Sequence, residues 1–285
     1  MVFAFDPGTG VETVLYAFAG DTDGSFPVAG LVSSKGALYG TTYLGGGCTA
    51  EREGCGTVFA LDPETGAETV LHAFVGGTDG YEPEAGLIAV NGILYGTTES
   101  GGGTGCGGTG CGTVFALDPK SGSEKVLYSF CSQENCADGA GPAAALLDVK
   151  GVLFGTTTAG GTGSCGTQGC GTVFSLDPET RAEKVLYSFC SQQNCKDGAV
   201  PEASVIDVKG TLYGTTASGG VNRCGCGTIF SLDPDTGAET VLHSFAGHVD
   251  GKYPWGLVDV QGTLYGTTNV GGAHDHGTAF ALTDP

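Results

Sequence analysis

The chain has 285 residues, with 31 acidic against 11 basic side chains, a net charge of −20, 54 glycines and 12 cysteines. So acidic a surface disfavours nucleic acid and anionic membranes as partners and suits cation binding, and no apolar run is long enough to insert in a membrane. The glycines follow no collagen period and cluster between short apolar runs, which excludes a fibrous chain and indicates many turns between short strands.

From the N-terminus onward one unit is written repeatedly. The run Gly56-Thr-Val-Phe-Ala-Leu-Asp-Pro returns at Gly112, Gly171 and Gly227, appears shortened at Val2-Phe-Ala-Phe-Asp-Pro and stops at Gly277-Thr-Ala-Phe-Ala-Leu. Phe3, Phe59, Phe115, Phe174, Phe230 and Phe280 mark a period of roughly 50 to 60 residues, in the range of propeller blades and solenoid repeats. Each unit predicts four short strands, A to D. In the second unit these are Ala85 to Val90, Ile93 to Thr98, Thr113 to Leu117 and Glu124 to Phe130. Asn91-Gly92 turns A into B, a glycine-rich loop joins B to C, and Asp118-Pro-Lys-Ser-Gly122 turns C into D. In that last turn proline presets φ and the final glycine takes a left-handed conformation, and Arg181 replaces this glycine once at a small strain cost.

Strands B and C are apolar on both faces, so each sheet needs a neighbour on either side. The expected fold is all-β: one five-bladed β-propeller over residues 1–285, built of four-stranded antiparallel blades with loop disulfides. Four blades span about 30–74, 86–130, 144–189 and 203–245, and residues 1–18 with 256–285 make the closing blade. An open β-solenoid is the alternative. One C strand is left over, because Val2-Phe-Ala-Phe and Thr278-Ala-Phe-Ala-Leu compete for one place. A spare apolar strand favours self-association through the terminal strands.

The cysteines fall in close pairs: Cys48 and Cys55, Cys106 and Cys111, Cys131 and Cys136, Cys165 and Cys170, Cys190 and Cys195, Cys224 and Cys226. Local disulfides imply an oxidising compartment, extracellular or at the cell surface. Met1-Val-Phe-Ala-Phe-Asp-Pro is not a signal peptide, so the chain reads as a mature region or fragment without its targeting segment.

Leu-Tyr-Gly-Thr-Thr, Gly-Gly, Gly-Thr-Val-Phe-x-Leu-Asp-Pro, Val-Leu-Tyr-x-Phe and Asp-Gly-x-x-Pro recur over residues 2–284. Together they resemble the GloVer tandem repeat family of bacterial exported proteins and, more distantly, kelch repeats, whose strand D tryptophan and glycine pair are absent here. The resemblance implies a propeller at an extracellular or surface location and carries over no catalytic residue.

Alternating strand direction puts the A–B and C–D turns on one face and the variable B–C and D–A loops on the other. Every cysteine, Trp255, His248, His274 and His276 belong to the loop face, where function on such scaffolds resides. What all units share reads as scaffold. Asp23, Asp79, Asp138, Asp197 and Asp250 begin Asp-Gly-x-x-Pro and cap their turns, with calcium binding as the alternative. Glu12, Glu68, Glu124, Glu183 and Glu239 open strand D as exposed edge residues, and His72 and His243 hold packing or surface positions.

What breaks the repeat is the better candidate. His248, Asp250, His274 and His276 converge in the last sector, and imidazole plus carboxylate makes a candidate zinc or other transition-metal set. Cys224 and Cys226, one residue apart, would form a reducible bridge beside them. Tyr253 and Trp255, flanked by Asp250 and Lys252, suit stacking on a sugar ring, with Phe26 and Tyr81 as weaker equivalents. Asp148, Asp207 and Asp259 lie at one strand A position in consecutive units and are the candidate carboxylates of a polysaccharide hydrolase or lyase. The sequence reading is an extracellular binding or surface-interaction module for a glycan or a surface or matrix component. An axial-carboxylate enzyme and a structural protein assembling head-to-tail are the alternatives.

Overall fold

Turn chemistry lays out the strands. Asn91 and Gly92 both take positive φ, 53° and 86°, as a two-residue hairpin turn requires, and they join Ile88–Val90 to Ile93–Thr98. At the next turn Asp62 Oδ1 accepts the N–H groups of Glu64 and Thr65 at 2.8 and 3.2 Å, so the aspartate of Asp-Pro-x-Thr-Gly holds the turn as its proline presets it. Arg181 occupies the glycine place of the same turn at φ 61°.

A computed structural model describes residues 1–48, 54–165, 169–222 and 224–283, in two compact units, Met1–Ser129 and Phe130–Pro285. Every strand pairing within the sheets is antiparallel. The first unit holds a hairpin, Val2–Asp6 with Val11–Tyr16, and two four-stranded sheets in the order A-B-C-D. These are Val32–Ser34, Ala37–Thr42, Thr57–Leu61 and Glu68–Ala73, then Ile88–Val90, Ile93–Thr98, Thr113–Asp118 and Ser123–Ser129. The second unit holds two more: Leu147–Val149, Val152–Thr157, Thr172–Leu176 and Glu183–Ser188, then Ile206–Val208, Thr211–Thr216, Thr228–Leu232 and Glu239–Ser244. A three-stranded sheet, Lys252–Val260, Thr263–Val270 and Thr278–Thr283, follows.

One expectation comes out differently. Strand A is shorter than its apolar run, Ile88–Val90 rather than Ala85 to Val90. The carbonyl of Ala85 accepts the Thr41 hydroxyl of the preceding sheet at 3.0 Å, so this backbone is satisfied by the neighbouring sheet and not by a ladder partner. Thr278–Thr283 takes the C place beside Thr263–Val270, and Val2–Asp6 pairs with Val11–Tyr16.

Stacked faces form the core. Val58, Phe74, Leu87, Leu94, Phe115 and Leu117 close the gap between the two sheets of the first unit. Phe154, Val173, Val205, Leu212, Phe230 and Leu232 do the same in the second. Phenylalanines step from sheet to sheet edge to face: Phe74 on Phe115 at 5.2 Å, Phe189 on Phe230 at 5.0 Å and Phe245 on Phe280 at 5.2 Å between centroids. Each such ring contributes about 1.5–3 kcal/mol from burial. The glycine of Tyr-Gly-Thr-Thr makes room for them, since a Cβ on Gly96 would stand 2.6 Å from Phe115 Cζ. Strands B and C are further joined by a hydroxyl pair, such as buried Thr98 Oγ1 and Thr113 Oγ1 at 2.9 Å. Thr98 Oγ1 also accepts the Thr113 N–H at 3.2 Å and donates to the Ser100 carbonyl at 2.9 Å.

Candidate functional site

The D–A loop and the B–C loop that follows it are laced together by backbone bonds. Ala199 and Ser218 exchange N–H···O bonds of 2.8 and 2.9 Å, and the Gly220 N–H donates to Cys195 O at 2.8 Å. Close approach explains the glycines: a Cβ on Gly101 would lie 2.4 Å from the Gly80 Cα. The six cysteine pairs expected from spacing form within these loops. No helix among the described residues is long and apolar enough to cross a membrane.

In the second unit these loops enclose a cavity of about 670 Å³, lined among others by Cys224, Cys226, His248, Lys252, His274 and Asp275. His248, Lys252 and His274 line it together with the Cys224–Cys226 bridge. Asp275 joins them, and its Oδ1 accepts the Gly271 N–H at 3.0 Å. Asp250 is engaged otherwise: its carboxylate lies 3.2 Å from His243 Nε2 and accepts the Ala246 N–H at 2.7 Å. Exposed His276 is not among the lining residues. Among the described residues, His248, Asp250, His274 and His276 supply no three donor atoms within 4.8 Å of one another, so the expected ligand set is not assembled.

Tyr253 and Trp255 are 42% and 48% exposed. Lys252 Nζ stands 5.8 Å from the Tyr253 ring centroid, a cation over an aromatic face. Tyr253 has φ 58° and its N–H donates to Cys226 O at 2.9 Å, so the bridge loop and the aromatic loop are tied. The Trp255 carbonyl accepts the Thr215 hydroxyl at 3.1 Å. Phe26 is also exposed, and Tyr81 is half-buried. Asp148, Asp207 and Asp259 each accept the N–H of the glycine three residues on, Gly151, Gly210 and Gly262, at 3.0 to 3.1 Å. These carboxylates cap the A–B turns.

The sheet junctions hold a second constellation. The aspartate of Asp-Gly-x-x-Pro reaches back over its own loop, Asp23 accepting the N–H groups of Ala19 and Gly20 at 2.8 and 3.2 Å and Asp197 that of Ser191 at 2.8 Å. The strand D aromatic also meets it. Tyr16 and Tyr187 donate to Asp23 and Asp197 at 2.9 and 2.8 Å, while His72 Nε2 stands 3.1 Å from Asp79 Oδ1. The glutamate opening strand D of the next sheet comes in from the other side. Glu68, Glu124, Glu183 and Glu239 are therefore half-buried, which corrects the expectation of exposed edge residues. Burial, then the nearby Asp79 charge, pushes Glu124 up to about 7. Burial and Asp197 do the same for Glu239, also to about 7. Glu68 is raised by burial and Asp23, and Tyr16 is pushed up to about 12 by burial and its bond to Asp23.

The profile of the Gloeobacter/Verrucomicrobia repeat matches residues 1–109 and 109–285. No curated protein matches the chain. Among solved structures, one of a nidogen/laminin complex superposes with a TM-score of 0.51 at 13% identity, over 91% of this chain and 78% of that one. A putative 6-phosphogluconolactonase from Bacteroides uniformis superposes with a TM-score of 0.55 at 16% identity, over 99% of this chain and 74% of that one. At such identities the likeness concerns the fold alone, which is propeller-like.

Proposed function

Matched along both halves, the chain belongs to the Gloeobacter/Verrucomicrobia repeat family, and we propose that it is an extracellular five-bladed propeller that binds a hydroxyl-rich ligand, of the glycan class, on its loop face. The observation that carries this reading is the pair Tyr253 and Trp255, about half exposed, directly after Lys252, which lines a cavity with His248 and His274. Flat apolar rings with polar neighbours suit sugar faces, and a cavity that offers a few polar side chains suits the hydroxyls. A glycan array followed by calorimetry tests it. Binding lost in Trp255→Ala and weakened in Lys252→Ala supports the reading, and an array without binding, or binding indifferent to both substitutions, overturns it.

A specific observation favours a second reading, self-association through the terminal sheets. Phe3 and Phe5 in the first hairpin and Val258, Val260 and Tyr265 in the last sheet are exposed. Counterparts inside the repeat, such as Phe59 and Tyr213, are buried. Light scattering that finds oligomers, dispersed by Tyr265→Glu, supports it; a monomer at high concentration removes it.

A further inference from the structure

We propose that His72, Asp79 and Glu124, at the junction of the two four-stranded sheets of the first unit, form a binding site for a divalent first-row transition ion of the zinc class. Each residue offers one ligand atom, and the three atoms lie within 4.8 Å of one another. That is the spacing of donors around a single ion, and one imidazole nitrogen with two carboxylate oxygens is a donor set for zinc, cobalt or manganese rather than for calcium, which takes six or more oxygens. His72 Nε2 stands 3.1 and 3.2 Å from the two Asp79 oxygens. Asp79 Oδ2 also accepts the Val75 N–H at 2.8 Å, so the carboxylate is held in place with Oδ1 left to face the ring. Glu124 Oε1 is out of reach of solvent and has no hydrogen-bond partner. A cation between Glu124 and Asp79 would take up that oxygen and remove the repulsion of the two carboxylates, which otherwise share a hydrogen bond only with Glu124 protonated.

The repeat supplies its own controls. At two other junctions the histidine place holds Tyr16 or Tyr187, whose hydroxyl donates to Asp23 or Asp197 and brings no nitrogen ligand. His243 and Asp250 repeat the pair at 3.2 Å, but among the described residues no third ligand atom joins them within 4.8 Å. Among the described residues, the His72 junction alone unites imidazole and both carboxylates. Coordination uses the Nε2 lone pair, so the ring carries its proton on Nδ1 when the ion is bound.

The test is titration of the oxidised full chain, stripped with chelator, with Co²⁺ alone followed by its visible absorption, and with Zn²⁺ by calorimetry. One saturable equivalent is expected. His72→Tyr installs the residue the chain itself uses at this place and so keeps the fold, which a thermal melt verifies; it should weaken binding at least about tenfold, as should Glu124→Gln. A His248→Ala/His274→Ala double variant should bind as the parent does. Absence of saturable binding, binding that survives His72→Tyr, or binding lost in the double variant each overturns the proposal.

Discussion

Glu239 offers a quantitative test of the junction electrostatics. Both of its carboxylate oxygens are screened from solvent without a hydrogen-bond partner, and Asp197, with Tyr187 donating to it at 2.8 Å, lies opposite. The carboxyl therefore titrates at about 7 in the folded chain against 4.5 for the ordinary group. A carboxyl raised on folding binds its proton more tightly in the native than in the unfolded state, so its contribution is complete below about 4.5 and is lost as pH rises towards about 7. At about 1.4 kcal/mol per pH unit the full effect would be about 3 kcal/mol, and the part of the side chain that stays hydrated reduces this to about 1–2 kcal/mol. Glu239→Gln keeps the shape, places an amide donor toward Asp197 and removes the titration. Urea unfolding of oxidised parent and variant, measured at intervals from about pH 4 to pH 8, should show the variant gaining about 1–2 kcal/mol on the parent across that range. A difference that stays flat with pH, or that moves the other way, would refute the argument.

Other substitutions address other layers. Arg181→Gly relieves a left-handed backbone at φ 61° and should stabilise the chain by about 0.5–1 kcal/mol in the same urea assay. Thr98→Val leaves the Thr113 N–H and hydroxyl without their shared acceptor and should cost about 1–3 kcal/mol. Phe230→Ala opens a void between two sheets at a fully buried ring and should cost about 3–5 kcal/mol, read as a lower thermal midpoint.

Much of this architecture was legible residue by residue. The Asn91-Gly92 turn, the Asp-Pro turns, the strand B run Ile93–Thr98 and the local cysteine pairs follow from φ preferences, alternation and short spacing, all of which act within about ten residues. The loop sector is partly legible: Lys252, His248 and His274 line one cavity, while Asp250 lies against His243 and the Ala246 N–H. The role of the threonines of Gly-Thr-Thr is not legible locally, because their bonds are made with a partner strand, as with Thr98 and Thr113. The repetition of threonine at those places in every unit was the signal available.

The period, the strand order within a unit, the turn types and the need for apolar cover on both faces are all written in local pattern. The character of the junctions arises when the sheets stack. Glu124 reads as an edge residue 45 positions after Asp79, by subtraction of their residue numbers, and nothing local distinguishes it from exposed Glu12. Stacking one sheet on the next removes water from Glu124 Oε1 and brings it within reach of Asp79 and His72. Burial and charge proximity are properties of that stacking, and no pattern within a single unit encodes them.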